Sequence, residues 1–247
     1  MKYFIKFSYN GKQYHGWQSQ PNAITVQQVL EEAFATLLRE PISLMGAGRT
    51  DAGVHAKEMY AHFEFSRIQN IKDLLYRLNS FLPDDIAVQD IFEVREDAHA
   101  RFDAKERTYE YIIAQEKSPF MVDSAHYVKH TLAIEKMNQA AAILLDYEDF
   151  ECFSKTKTDV YTYLCDIKKA SWKKTDGVLI FTITADRFLR NMVRAIVGTL
   201  LDVGMGKSKV DDVKAIINSK DRREAGTSVP AKGLYLISIL YPENIKK

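Results

Sequence analysis

From Lys2 to Tyr9 the chain alternates apolar and polar residues, the period of a strand with one buried face. After a polar stretch, Thr25-Val-Gln-Gln28 resembles a capping box, and Val26, Leu30, Ala33, Phe34, Leu37 and Leu38 then share one side of a predicted helix. A short strand is expected over Ile42 to Met45, then a glycine-rich turn from Gly46 to Gly53. The next strand has Met59, Ala61, Phe63 and Phe65 on one face. Asn70 is placed to cap a helix that buries Leu74, Leu75, Leu78 and Leu82 and stops at Pro83, and Ile86 to Val94 reads as another strand. That order is β-α-β-β-α-β, and the rest of the chain repeats it without repeating the residues. A strand is expected over Arg107 to Ala114 and a helix over Ala133 to Leu145. Ser171 to Lys174 and Val178 to Thr184 form a hairpin across Asp176-Gly177. Helices follow from Phe188 to about Val203 and from Lys209 to Asn218, with a last strand over Leu234 to Tyr241. The pattern predicts an α+β protein of two ferredoxin-like halves, residues 1–100 and 101–247, with antiparallel sheets packed around a central cleft.

Composition narrows the function only by exclusion. The 247 residues carry 34 Lys and Arg against 33 Asp and Glu, so net charge does not point to a polyanion and any such case must be local. Basic residues do gather at Lys105/Arg107, Lys168/Lys169/Lys173/Lys174, Arg187/Arg190/Arg194 and Arg222/Arg223, interleaved with Tyr109, Tyr111, Trp172 and Phe188. No leader is seen and no apolar run approaches the roughly 20 residues that span a bilayer, which leads us to expect a cytoplasmic protein without a membrane partner. Cys152 and Cys165 fit neither a C-x-x-C motif nor a Cys/His ligand spacing, and the histidines show no HExxH or His-x-His grouping, so no metal site is expected.

Three segments could carry chemistry. In Gly46-Ala-Gly-Arg49-Thr-Asp51-Ala-Gly53-Val-His55-Ala the glycines let the backbone turn and approach a ligand closely, with Asp51 beside Arg49. Asp51 is thereby either an Asx-turn residue or a catalytic carboxylate; no Gly-Lys-Ser/Thr follows to make a P-loop, and no helix opens there to make a dinucleotide site. On the helix expected from Phe188, Arg187, Arg190 and Arg194 would fall within about 60° of one another and make one basic stripe on an otherwise apolar surface. Such arginines need partners, which could be structural carboxylates or a ligand; Asp51 would suit, since a guanidinium favours the ionised acid. In His99-Ala-Arg101-Phe-Asp-Ala-Lys105-Glu-Arg107-Thr-Tyr109-Glu-Tyr111 the two tyrosines share a strand face near cations suited to phosphates.

Taken together, these segments resemble the tRNA pseudouridine synthase A family over nearly the whole chain. The resemblance is carried by Tyr14-His-Gly16-Trp17-Gln18, Thr25-Val-Gln, Gly48-Arg-Thr-Asp51-Ala-Gly-Val-His55-Ala, His99-Ala-Arg101-Phe, Arg107-Thr-Tyr109, Asn191-Met-Val-Arg194 with Ile196-Val-Gly198, and Pro230-Ala-Lys-Gly233-Leu234-Tyr. It implies a homodimer that isomerises uridines 38, 39 and 40 of the tRNA anticodon stem-loop to pseudouridine without a cofactor. By the same resemblance Asp51 is the catalytic aspartate, Tyr109 the tyrosine that packs on the target base, and Arg194 the arginine that pairs with the aspartate. Arg49 and Arg190 are candidate substrate-binding residues. The chain departs from the family at Tyr161-Thr-Tyr163-Leu-Cys165-Asp-Ile, where relatives usually carry Arg-Thr-x-x-Arg. Attack by Asp51 at C1′ and proton abstraction at C2′ both fit the residues. A non-catalytic RNA binder with two RRM-like sheets would need aromatic RNP strings that are missing from the expected strands, and a glycosidase would need a second carboxylate.

Overall fold

A computed structural model describes residues 1–156 and 160–247. The chain divides into two compact units, one of Met1–Lys105 with Leu236–Lys247 and one of Glu106–Tyr235. Residues 236–247 cluster with the first unit, where Leu240 accepts a bond from the Lys105 amide and Glu58 Oε1 accepts one from the Ile239 amide.

In the first unit β1 (Lys2–Tyr9) lies between β3 (His55–Glu64) and β4 (Ile86–Val94), antiparallel to both. The two-residue β2 (Met45–Gly46) pairs with β3, and β9 (Leu234–Leu240) also lies next to β3. β4-β1-β3-β2 is the neighbour order of a ferredoxin-like half. Tyr3 opposes Phe63, Ile5 opposes Ala61 and Phe7 opposes Met59, and these buried pairs form the face covered by helices. Phe34 of α1 (Val26–Leu38) stands 5.0 Å from Phe63, while Leu74 and Leu78 of α2 (Ile71–Phe81) are buried. Each such ring or leucine withdrawn from water contributes about 2 kcal/mol. The helix starts follow the sequence: Thr25 accepts a bond from the Gln28 amide and Asn70 one from the Asp73 amide, each satisfying a donor that the first turn leaves open. The strand expected over Ile42 to Met45 shrinks to β2 because Ile42 and Leu44 are held by burial, with Glu31 Oε1 accepting the Leu44 amide.

The second unit runs strand-helix-strand-strand-helix, with a short extra strand before its first helix and a second helix after its last. β5 (Glu106–Ala114), β8 (Val178–Ala185) and β7 (Ile167–Thr175) form an antiparallel sheet in the order β5-β8-β7, with β6 (His126–Tyr127) parallel to β5. Asp176 and Gly177 both take positive φ, at 46° and 79°, as the expected type I′ turn requires. α3 (Ile134–Ile143) lies against β7, and its Asn138 amide both donates to and accepts from the Trp172 backbone, satisfying an edge strand. α4 (Met192–Gly204) is buried on nearly all sides, as its apolar sequence demands, and α5 (Asp212–Ser219) buries Val213 and Ile217. The result is a mixed α+β protein with mostly antiparallel strands. No helix among the described residues is long and apolar enough to cross a membrane.

One element of the first unit depends on pH. His62 Nδ1 accepts the Ala100 amide, and His99 Nδ1 accepts the amides of Arg101 and Phe102, so both rings must be neutral at that nitrogen. Burial, with smaller contributions from His99 and Lys2 against Glu64 and Asp103, pulls His62 down to about 4. Between the ordinary value of about 6.5 and that level the unfolded chain binds a proton that the folded chain refuses, so stability is present above the window and falls as pH drops through it. The urea midpoint is expected to fall between about pH 7 and about pH 5, and to fall less in His62→Asn, whose amide oxygen accepts without titrating. His99, also held below its ordinary value by burial, remains in both proteins, so equal falls would show that His62 contributes nothing.

Candidate active site

Asp51 sits half-buried in the loop between β2 and β3, and two segments fix that loop. Opposite it runs Asn10 to Trp17, and the two meet at glycines. A Cβ on Gly11 would stand 2.0 Å from the Val54 carbonyl oxygen, one on Gly16 2.3 Å from that of Thr50, and one on Gly46 2.3 Å from Trp17 Nε1. Only hydrogen fits at those contacts, and Gly16, at φ +88°, also takes a conformation that L side chains rarely adopt. Hydrogen bonds complete the lock. Gly53 donates to the Tyr14 carbonyl at 3.2 Å, Val54 to the carbonyl of Asp51 itself at 3.2 Å, and Gly11 to buried His55 Nδ1 at 3.0 Å. The Tyr9 and Thr50 hydroxyls are 2.9 Å apart, and the Tyr14 hydroxyl donates to Asp85, which with burial holds that phenol well above its ordinary range. Asp51 is therefore presented by a backbone with almost no freedom. Arg49, two residues earlier, is exposed.

Tyr109, Arg190 and Arg194 belong to the second unit. Tyr109 is on β5 opposite Ile183, half-buried, with Phe188 edge-on at 5.2 Å and 88°. Tyr111, two residues on, is buried and donates its hydroxyl to the Pro230 carbonyl at 2.8 Å; burial raises its pKa against a smaller opposing effect of nearby Arg194. Arg194 lies in the first turn of α4, half-buried, and its Nε donates to the Val229 carbonyl at 2.7 Å while the Val229 amide returns a bond to the Arg194 carbonyl. The expected stripe of three arginines does not form. The helix opens at Met192, four residues later than its apolar pattern suggests, because Asn191 adopts the left-handed conformation (φ 67°) and ends helical geometry on its N-terminal side. Arg187 and Arg190 thus precede the helix; Arg190 is exposed and its carbonyl accepts the Lys155 amide.

Sequence reasoning missed the bracing segments. Asn10 to Trp17 and Ala225 to Val229 have no periodicity; Tyr14 to Trp17 stands out only as part of the family resemblance, and the bracing role of both segments makes sense only once a partner backbone is known. The structure offers no cluster of metal ligands among its described residues, and both thiols are buried and pushed up to about 12, chiefly by burial.

These features define an α+β protein that presents one carboxylate on a rigid glycine-braced loop and, in its second unit, an aromatic strand beside a buttressed arginine. Comparison with known proteins gives this class a family. A model described as tRNA pseudouridine synthase matches residues 6–103 and 140–242. The chain is similar to tRNA pseudouridine synthase A of Parabacteroides distasonis, at 51% identity over 99% of this chain and 97% of the relative. The corresponding figures are 49%, 99% and 92% for the enzyme so named from Bacteroides thetaiotaomicron, and 42%, 96% and 98% for that from Thermoanaerobacter sp.. The chain belongs to the tRNA pseudouridine synthase family, whose members are isomerases acting on uridine in tRNA.

Proposed function

We propose that this protein converts uridines 38, 39 and 40 of the tRNA anticodon stem-loop to pseudouridine, working in the cytoplasm as a homodimer. The observation that carries the reading is the glycine-braced Asp51 loop: catalysis at a sugar carbon needs a carboxylate held in place before the substrate arrives. The C1′–N1 bond breaks, the uracil turns, and C5 joins C1′; C5 gives up its hydrogen and N1 gains one. Reactant and product have the same atoms, so no redox cofactor or energy source is required. Asp51 acts at the sugar, either on C1′ or on the C2′ proton. Arg194 keeps that carboxylate ionised and oriented. A stacked base is out of reach, so the nucleotide leaves the helix and Tyr109 replaces its lost stacking. Arg49 and Arg190, both exposed, take phosphates.

The test is an unmodified tRNA transcript carrying tritium at uracil C5. Isomerisation releases tritium to solvent, and mapping of the product should place pseudouridine at 38, 39 and 40. Release with the modification elsewhere would overturn the positions and keep the chemistry. Binding of tRNA without release would leave a non-catalytic RNA binder.

A further inference from the structure

Val229, the residue that holds Arg194, belongs to a loop tied down from three directions. Arg222 Nη1 donates to the carbonyls of Ala225 and Gly226 at 3.2 and 3.1 Å, and its Nη2 donates to Ser228 Oγ at 2.8 Å. The half-buried guanidinium thus meets three neutral acceptors within one turn of chain. Ser228 Oγ also accepts from Asn191 Nδ2 at 2.6 Å, which ties the loop to the left-handed residue that opens α4. From the helix side, Thr199 Oγ1 accepts the Gly226 amide at 2.8 Å. A Cβ on Gly198 would stand 1.9 Å from the Thr227 carbonyl oxygen, and one on Gly226 2.6 Å from the Thr199 nitrogen, so loop and helix backbones touch.

We propose that Arg222 is a positioning residue for Arg194. Its planar fork fixes residues 225–228, that turn fixes the Val229 peptide, and the Val229 carbonyl fixes the rotation of the Arg194 head through Nε. The direction of the two terminal nitrogens of Arg194 is thereby set from a guanidinium whose hydrogen bonds, among the described residues, go to the loop. A neutral or single-headed side chain at 222 cannot bridge the same three acceptors. The inference rests on the reading of Arg194 as part of the active site.

The test is a double-mutant cycle on the full chain. Arg222→Met is expected to slow single-turnover tritium release about tenfold with tRNA affinity changed less than about twofold. In an Arg194→Met background the same change should alter the rate less than about twofold. Amide exchange at Val229 should quicken in Arg222→Met while the melting transition stays cooperative. A tenfold loss in both backgrounds would make Arg222 a merely structural residue and overturn the inference while leaving Arg194 its role. Wild-type rates in Arg194→Met alone would remove the reading of Arg194 and the inference with it. Should Arg222→Met fail to fold, Ser228→Ala removes a single acceptor of the fork; about a threefold loss that vanishes in the Arg194→Met background supports the proposal, and an additive loss sinks it.

Discussion

Asp51→Asn is expected to fold, to bind tRNA, and to lose turnover by about 10⁴-fold, because the amide keeps the shape of the side chain and removes the charge on which the proposed chemistry depends. Several bonds that hold the loop are made by other groups: the Asp51 carbonyl accepts Val54, the Tyr14 carbonyl accepts Gly53, and Thr50 meets Tyr9. None of these involves the carboxylate. Affinity should change by no more than about threefold, since cations on phosphates supply most of it. Single-turnover tritium release and a tRNA binding isotherm at one fixed salt concentration measure both quantities. Asp51→Ala should behave alike, and retention of more than about a tenth of the wild-type rate in either variant would remove Asp51 from the chemistry.

How much of this was legible in the sequence depends on the range of the interaction. Thr25 and Asn70 cap the helices their spacing predicts, Asp176-Gly177 makes the turn its dipeptide demands, and β4 has the bounds its apolar pattern sets. Each of these depends on residues a few positions apart. The start of α4 was not legible, because Asn191 leaves helical geometry to reach Ser228, a partner 37 residues away. The site divides in the same manner. Asp51 stands out by its glycine-rich neighbourhood, and Arg194 by a charge on an apolar helix. What braces each is a loop read only from contacts: Gly11 and Gly16 for the first, Arg222 and Val229 for the second.

That bracing gives the second large effect, since Arg194→Lys keeps the positive charge and discards the geometry. A lysine has no donor at the Nε position, so the Val229 carbonyl, in a residue only 5% exposed, loses the bond it accepts at 2.7 Å. Leaving such an acceptor unmet costs about 1–3 kcal/mol, enough to lower the melting temperature by several degrees and not enough to unfold an ordinary domain. The Val229 amide still reaches the backbone carbonyl of residue 194, so the loop stays seated. If Arg194 acts as proposed, turnover is expected to fall about 10²-fold or more while tRNA affinity holds within a few fold, because a single ammonium cannot reproduce the planar fork of a guanidinium. The comparison separates charge from geometry. Were charge alone sufficient, the lysine enzyme would run within about threefold of wild type and Arg194→Met would be the slow one. If geometry governs, lysine and methionine should be slow together, and the rates of the two variants on the same transcript decide between them.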